Sequence, residues 1–267
     1  VTAVLASLLE PAAMASWGWR VPFLLALPLG VIGVYLRRTL VESPYFTSAA
    51  AGASAPARPM AVLRDHLPTI RRCLVIGAAF SAAFNVWFLF LPSYLAASGA
   101  ASLGLALTAA LVGLLALAVA APLFGRLSDF CGRRVVLCWA SGALASTIVP
   151  LYLWAMGGSA AALLVGNVLI GLVIAAFVLP SFFAEQFPVR VRATGLGLSY
   201  GISSAVIGGT APLLATAFSR QVGPALVAGY LGLWAAAALV AALRSPETVR
   251  SRFGGLGTGR WSSSQPG

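Results

Sequence analysis

Hydrophobic and polar positions along this chain fall in long blocks, not in the short periods of a soluble helix or strand. Ala101–Phe124 contains no Asp, Glu, Lys or Arg, and neither does Val135–Ala184. Between these blocks, Gly125–Arg134 concentrates Arg126, Asp129, Arg133 and Arg134 with two glycines. An apolar helix needs ~20 residues to cross ~30 Å of hydrocarbon at ~1.5 Å per residue. On that scale the pattern predicts spans over Val21–Leu36, Cys73–Ala97, Ala101–Phe124, Val135–Met156, Ala160–Ala184, Ala193–Phe218 and Val222–Leu243. Val135–Ala184 is too long for one crossing, so Gly157, Gly158 and Ser159 are expected to form a tight turn. Pro28 and Gly30 inside the first span are tolerable, because neighbouring helices can re-satisfy freed backbone groups.

The polar intervals differ in kind. Glu10–Arg20 reads as a loop, and residues 37–72 form the longest polar stretch. Thr47–Pro59 is rich in Ala, Gly, Ser and Pro without periodicity, as in a flexible linker. Met60–Leu67 alternates apolar and charged residues at helical spacing, which predicts a short helix on the membrane surface. His66 there reads as a solvated loop histidine. Val1–Leu9 is apolar but too short to span, and no charged region precedes it as in a signal peptide. It reads as the back end of a helix. The residues from Ser245 onward are polar and rich in Gly and Ser, and are expected to be a disordered tail.

Charge fixes the orientation this pattern implies. The chain is 60% hydrophobic and only 9% charged, far from the ~25% of a soluble domain. Its net charge of +11 is carried entirely by Arg. A nucleic-acid surface gathers its basic residues on one face of a domain. Here they sit at the ends of apolar runs, as the positive-inside rule requires, so nucleic acid is excluded as a partner and the lipid bilayer takes its place. With the 37–72 interval in the cytoplasm, Gly125–Arg134, the Arg190/Arg192 turn and the tail follow it there, and only Arg20 and Arg220 fall outside. The expected location is the plasma (inner) membrane, with several passes.

Chemistry is sparse. Cys73, Cys131 and Cys138 lack metal-ligand spacing and read as small apolar filler. An enzyme needs convergent catalytic groups, whereas the one histidine lies in a loop and the six acids are scattered. No enzyme, metal or cofactor is therefore expected. Within the spans the candidate polar groups are Asn85, Tyr94, Asn167, Ser181, Tyr200, Ser203 and Ser204. Asn85, flanked by Phe84 and Trp87, is the favoured cavity-lining residue; interhelical hydrogen bonding is the alternative. Asp129 could accept backbone N–H bonds at a helix start, where the dipole favours an anion. Gly125 and Gly132 would allow close helix approach and a tight turn.

The pattern Gly-x-Leu-Ser-Asp-x-x-Gly-Arg-Arg at 125–134 resembles the signature connector of the major facilitator superfamily of secondary transporters. Trp17–Phe23 with Leu29–Gly33 and Glu42–Phe46 resembles the sixth helix and its exit in the metabolite:proton symporter family, which includes proline/betaine, α-ketoglutarate and shikimate-like carriers. Ala184–Tyr200 resembles that family's connector between helices ten and eleven, and Ser245–Thr248 the exit after helix twelve.

The resemblance implies an all-α polytopic membrane protein of the major facilitator fold, with the C-terminal six-helix bundle and the end of the N-terminal one. Residues 1–37 would hold a partial helix five and helix six, 38–72 a central cytoplasmic loop, 73–244 helices seven to twelve, and 245–267 the tail. Helices one to four would be lacking. It further implies a cytoplasmic gate using Gly125, Asp129, Gly132, Arg133, Arg134, Glu185, Arg190 and Arg192. Asp129 would latch against the opposite bundle. Asn85, Tyr94, Asn167, Tyr200 and Ser203 are the candidate cavity residues. The implied function is proton-coupled symport of a small polar organic solute, an acid or a zwitterion, by alternating access. The spans offer no titratable group, so a proton carrier would lie elsewhere. A non-transporting remnant or membrane-embedded interaction partner is the alternative.

Overall fold

A computed structural model of the chain describes residues 11–39 and 59–247. The readings on Val1–Leu9, on the Glu42–Phe46 exit, on the Thr47–Pro59 linker as far as residue 58 and on the tail past Glu247 lie outside the described residues. Chain contacts divide the molecule into two compact units, Val1–Ser54 and Ala55–Gly267.

In the first unit, α1 (Pro11–Ser16) leads through a single 3-10 turn (Gly18–Arg20) into α2 (Val21–Thr39). Arg20 lies over the Trp19 ring at 4.4 Å, and Trp19 meets Phe23 edge-on at 6.1 Å. Pro28 sits inside α2, as its apolar context allows.

The second unit begins with α3 (Pro59–Asp65), which stops at His66. Six long spans follow. They are α4 (Leu67–Ser98), α5 (Leu103–Cys131), α6 (Arg133–Ala155), a broken span made of α7 (Ala160–Ala175) and α8 (Leu179–Gln186), α9 (Arg192–Gln221) and α10 (Pro224–Leu243). With the Gly18–Thr39 segment, seven described helical segments are long and apolar enough to cross a membrane. The described residues contain no strand.

Sequence accounts for the helix starts. Ser102 Oγ accepts the Leu105 N–H at 3.3 Å, and Ser159 Oγ accepts that of Ala162 at 3.2 Å. Each satisfies one of the orphan donors of a first turn. The expected turn between Val135 and Ala184 falls at Gly157–Ser159.

Packing follows residue size. α5 lies along α7, α6 along α10, and α4 against both α9 and α10. At the α5–α7 crossing, a Cβ on Gly113 would stand 2.6 Å from the Asn167 carbonyl oxygen. One on Gly171 would stand 2.3 Å from the Gly113 carbonyl oxygen. Both neighbours are backbone, so only glycine lets these helices touch; small residues at crossings are how membrane helices gain dispersion contact without a hydrophobic drive. Trp87 and Tyr152 are fully buried beside this crossing, edge to face at 6.2 Å.

Five features depart from the sequence expectation. Glu10–Arg20, expected to be a loop, holds α1 and the 3-10 turn. The tail expected to be disordered from Ser245 is ordered through Glu247, with Ser245 buried and bonded to the Ala241 carbonyl. The helix before the charged decapeptide does not end at Phe124: α5 continues to Cys131, and only Gly132 breaks it. Charge does not stop a helix once it has left the hydrocarbon. The span expected over Ala160–Ala184 is broken at Ala176–Val178, where Val178 takes φ +44°, a left-handed conformation strained for a β-branched residue. α4 and α9 each carry a π turn, at Asn85–Phe90 and Ser203–Gly208.

Candidate functional site

The end of the bundle that carries Gly125–Arg134 is an organised polar hub, called here the arginine end. Gly132 has φ +104°, reachable at little cost only without a Cβ. The chain reverses there, and Arg133 becomes the first residue of α6. Its side chain, 12% exposed, reaches back to the last turns of α5. It pairs with Asp129, donates to Ser128 Oγ and, through Nη1, to the Gly125 carbonyl at 3.3 Å. Its Nε meets Glu185 Oε1 at 3.3 Å, on a carboxylate 14% exposed, which ties in α8. One guanidinium thus joins three helices, which its fixed fork of five donors permits.

Glu247 completes the hub. Its Oε1 accepts the Arg133 backbone N–H at 3.0 Å and its Oε2 that of Arg134 at 3.2 Å. The carboxylate sits where a Gly132 Cβ would be, 2.5 Å from Oε2. This is an anion on orphan donors at a helix start, favoured by the dipole. The sequence reading assigned that chemistry to Asp129. The structure corrects it: Asp129 lies in the last turn of α5, i,i+4 from Arg133 and 55% exposed. The signal for Glu247 was in the sequence, in the Ser245–Thr248 stretch, but no role was attached to it.

Two arginines cover the opposite kind of terminus. Arg134 Nη2 donates to the Leu243 carbonyl at 2.5 Å, and Arg72 Nη1 to that of Arg244 at 3.0 Å, at the end of α10. Arg134 is thus turned to α10, whereas Glu185 pairs with Arg133 alone of the two. Arg190 is exposed in the turn after α8, and Arg192, half-buried, starts α9. Gly125 has open space where a Cβ would go, so it is not the close-approach glycine that the sequence suggested; its carbonyl serves Arg133 instead. Cys131 is exposed, not apolar filler, while Cys73 is buried.

Adjoining this hub is a cavity of about 550 Å³ among α4, α5, the α7–α8 break and α9. Its walls are mostly apolar (Phe80, Leu117, Ala121, Ile174), and its base reaches Gly125. Strained Val178 faces it, and Ser181 and Tyr200 bring hydroxyls to it. Concave, largely apolar walls with a few polar groups suit a small organic ligand.

Of the cavity candidates, Tyr200 lines this space, as does Ser181 from the wider polar set. The others stand elsewhere. Asn167 is buried between helices, accepting from Trp87 Nε1 at 3.2 Å and donating to the Leu163 carbonyl at 2.8 Å. Ser203 is buried against Gly77 and donates to the Tyr200 carbonyl at 3.0 Å. Asn85 donates to the Ser81 carbonyl at 2.8 Å and presses on Gly208, joining the two π turns. Tyr94 meets Phe90 with tilted rings at 5.2 Å. Sequence spacing marks these groups as polar, but the facing helix decides what each one meets.

No protein-family model matches the sequence. Curated relatives do. The ectoine/proline transporter ProP of Corynebacterium glutamicum is 34% identical over 254 residues, covering 88% of this chain and 50% of that protein. The alpha-ketoglutarate permease of Escherichia coli is 32% identical over 228 residues, 80% of this chain and 50% of its own length. The glycine betaine/proline/ectoine/pipecolic acid transporter OusA of Dickeya dadantii is 28% identical over 272 residues, 96% and 53% respectively. The chain spans about half the length of the curated relatives it matches. Helical architecture and relatives together define the fold class: an all-α, multi-pass membrane protein of the major facilitator fold. These relatives are solute transporters, not enzymes.

Proposed function

We propose that this chain works in a proton-coupled secondary transporter of the metabolite:proton symporter family, moving a small zwitterion or organic acid by alternating access. The observation that carries the reading is the cavity beside the Arg133 hub. Binding space and a network of exchangeable charge contacts adjoin at one end of the bundle. The α4–α10 spans supply the C-terminal bundle of a two-bundle carrier, and α2 the last helix of the other; substrate sites of such carriers lie between bundles. The arginine end faces the cytoplasm of the plasma membrane. Substrate orientation falls to Tyr200 and Ser181, and the coupling proton to groups outside the apolar lengths of these spans.

The test is uptake by the native gene product in proteoliposomes under an imposed pH gradient, with labelled proline, glycine betaine and α-ketoglutarate. At least one should accumulate, and a protonophore should abolish the accumulation. Tyr200→Phe should raise the half-saturation concentration several-fold, as expected for losing a hydrogen bond of ~0.5–1.5 kcal/mol. No uptake above empty liposomes defeats the transport reading; uptake indifferent to the protonophore defeats the coupling. Orientation has its own check. In intact cells an impermeant thiol reagent should label Ser159→Cys from outside, whereas native Cys131 should react only after permeabilisation. The reverse pattern sinks the topology.

A further inference from the structure

A second cleft opens at the arginine end between α4 and α10, with a volume of about 540 Å³. Its eight lining residues include Arg71, Arg72 and Arg244 and no acid. Arg72 bridges the two helices through Nη1 on the Arg244 carbonyl at 3.0 Å, while Nη2 reaches Thr69 Oγ1 at 3.3 Å. Its Nε is buried and has no acceptor among the described residues. Glu247, three positions beyond Arg244, is turned away onto the start of α6. The carbonyl terminus of α10, which would otherwise repel an anion, is already covered by Arg72 and Arg134. Three arginines therefore line one mouth, with no acid among its lining residues.

Below this mouth the cleft changes character. Val75, Ala237, Val240 and Ala241 form an apolar trough, and Val240 is 46% exposed. Both helices are apolar enough to lie in hydrocarbon. An inorganic anion would use the mouth and leave the trough bare. A solute from water would meet the trough only by entering lipid. A phosphodiester with an acyl chain matches both parts, and basic clusters at a membrane end recognise anionic headgroups.

We propose that the α4–α10 cleft is a binding site for an anionic phospholipid, its phosphate held by Arg71, Arg72 and Arg244 and one acyl chain lying along Val75 and Val240. The site needs only that the bundle sits in a bilayer, and stands apart from the transport reading.

Native mass spectrometry of the delipidated protein, offered dioleoylphosphatidylglycerol or dioleoylphosphatidylcholine, tests it. The native protein should retain the glycerol lipid at least about tenfold better, because both lipids carry the phosphodiester but only the choline headgroup brings a cation beside three arginines with no acid among the lining residues. Arg72→Gln with Arg244→Gln should bring retention down to the choline level. Ala237→Trp, which fills the trough and keeps every arginine, should do the same. Arg37→Gln with Arg38→Gln, on α2, should change nothing. If the first pair fails to fold, Arg71→Gln with Arg244→Gln spares the Arg72 bridge and carries the same expectation. Equal retention of the two lipids by the native protein overturns the site, as does full retention by the glutamine pair. Unaltered binding in Ala237→Trp, or displacement by millimolar glycerol phosphate, would mean a small-anion site and not a lipid one.

Discussion

The middle of the bundle and its arginine end solve different problems with similar residues. In the middle, glycine is a contact surface: Gly113 and Gly171 each face backbone that cannot move aside. Polar groups there are spent on a neighbouring helix, as Asn167 is on Trp87. At the arginine end, glycine is open space (Gly125) or a conformational switch of direction (Gly132). Polar groups there are shared, with Arg133 serving Asp129, Ser128, Glu185 and a carbonyl at once. A contact made of backbone against backbone is either kept or lost. A hub of shared charges can lose one member and re-form. The difference teaches that rigidity in this bundle comes from steric fit, and adaptability from redundancy.

The sharpest break is aimed at the crossing. Gly171→Val puts a branched side chain 2.3 Å from the Gly113 carbonyl oxygen. Overpacking typically costs ~1–3 kcal/mol, and the rigid partner puts this case at or above the upper end. Folded yield in detergent should fall severely. Gly125→Ala, by contrast, should cost nothing in stability and gain ~0.5–1 kcal/mol in helix propensity. Thermal unfolding of the two variants side by side measures the contrast. A tolerant Gly171→Val would remove steric fit as the basis of the middle region.

Much of this was legible beforehand, for a simple reason. Lipid removes water over ~30 Å, so uncharged blocks of span length are forced by the solvent, and the spans and the Gly157–Ser159 turn follow from counting residues. Helix ends were less legible. Arg126 and Asp129 mark where hydrocarbon stops, yet the backbone of α5 continues until Gly132 makes reversal inexpensive. The two π turns and the Val178 break depend on hydrogen-bond register and on neighbours, and neither leaves a periodicity. The candidate site divided the same way. Arg133 and Glu185 stand together, but Asn167 and Ser203 lie in helix contacts, because composition tells how polar a side chain is and not which way its helix is turned.

A middling effect is expected at Glu247, whose carboxylate closes the start of α6. Glu247→Ala removes a helix cap, worth ~0.5–2 kcal/mol. Glu247→Gln keeps one acceptor oxygen and should lose about half as much. A loss in the alanine variant with recovery in glutamine assigns the effect to capping; equal losses assign it to charge at the dipole. Thermal midpoints of the purified variants decide between them.

The smallest stability effect belongs to Asp129, and it probes the redundancy of the hub most directly. Its side chain is 55% exposed, and Arg133, its one charge partner among the described residues, keeps Glu185 and two further acceptors when Asp129 is neutralised. Exposed i,i+4 pairs contribute ~0.3–0.5 kcal/mol. For a chain of this size that amounts to a shift of about 1–2 °C in the unfolding midpoint. Asp129→Asn should therefore unfold almost as the native protein does. On the proposed gate reading its consequence should appear in conformation instead, since loss of a latch charge would favour opening at the arginine end. A cysteine at Ser181, in a background free of native cysteines, reports on that opening through its labelling rate. Faster labelling with an unchanged midpoint separates gating from stability. If the midpoint drops as far as in Glu247→Ala, Asp129 is a structural support, and the arginine end is as rigid as the middle.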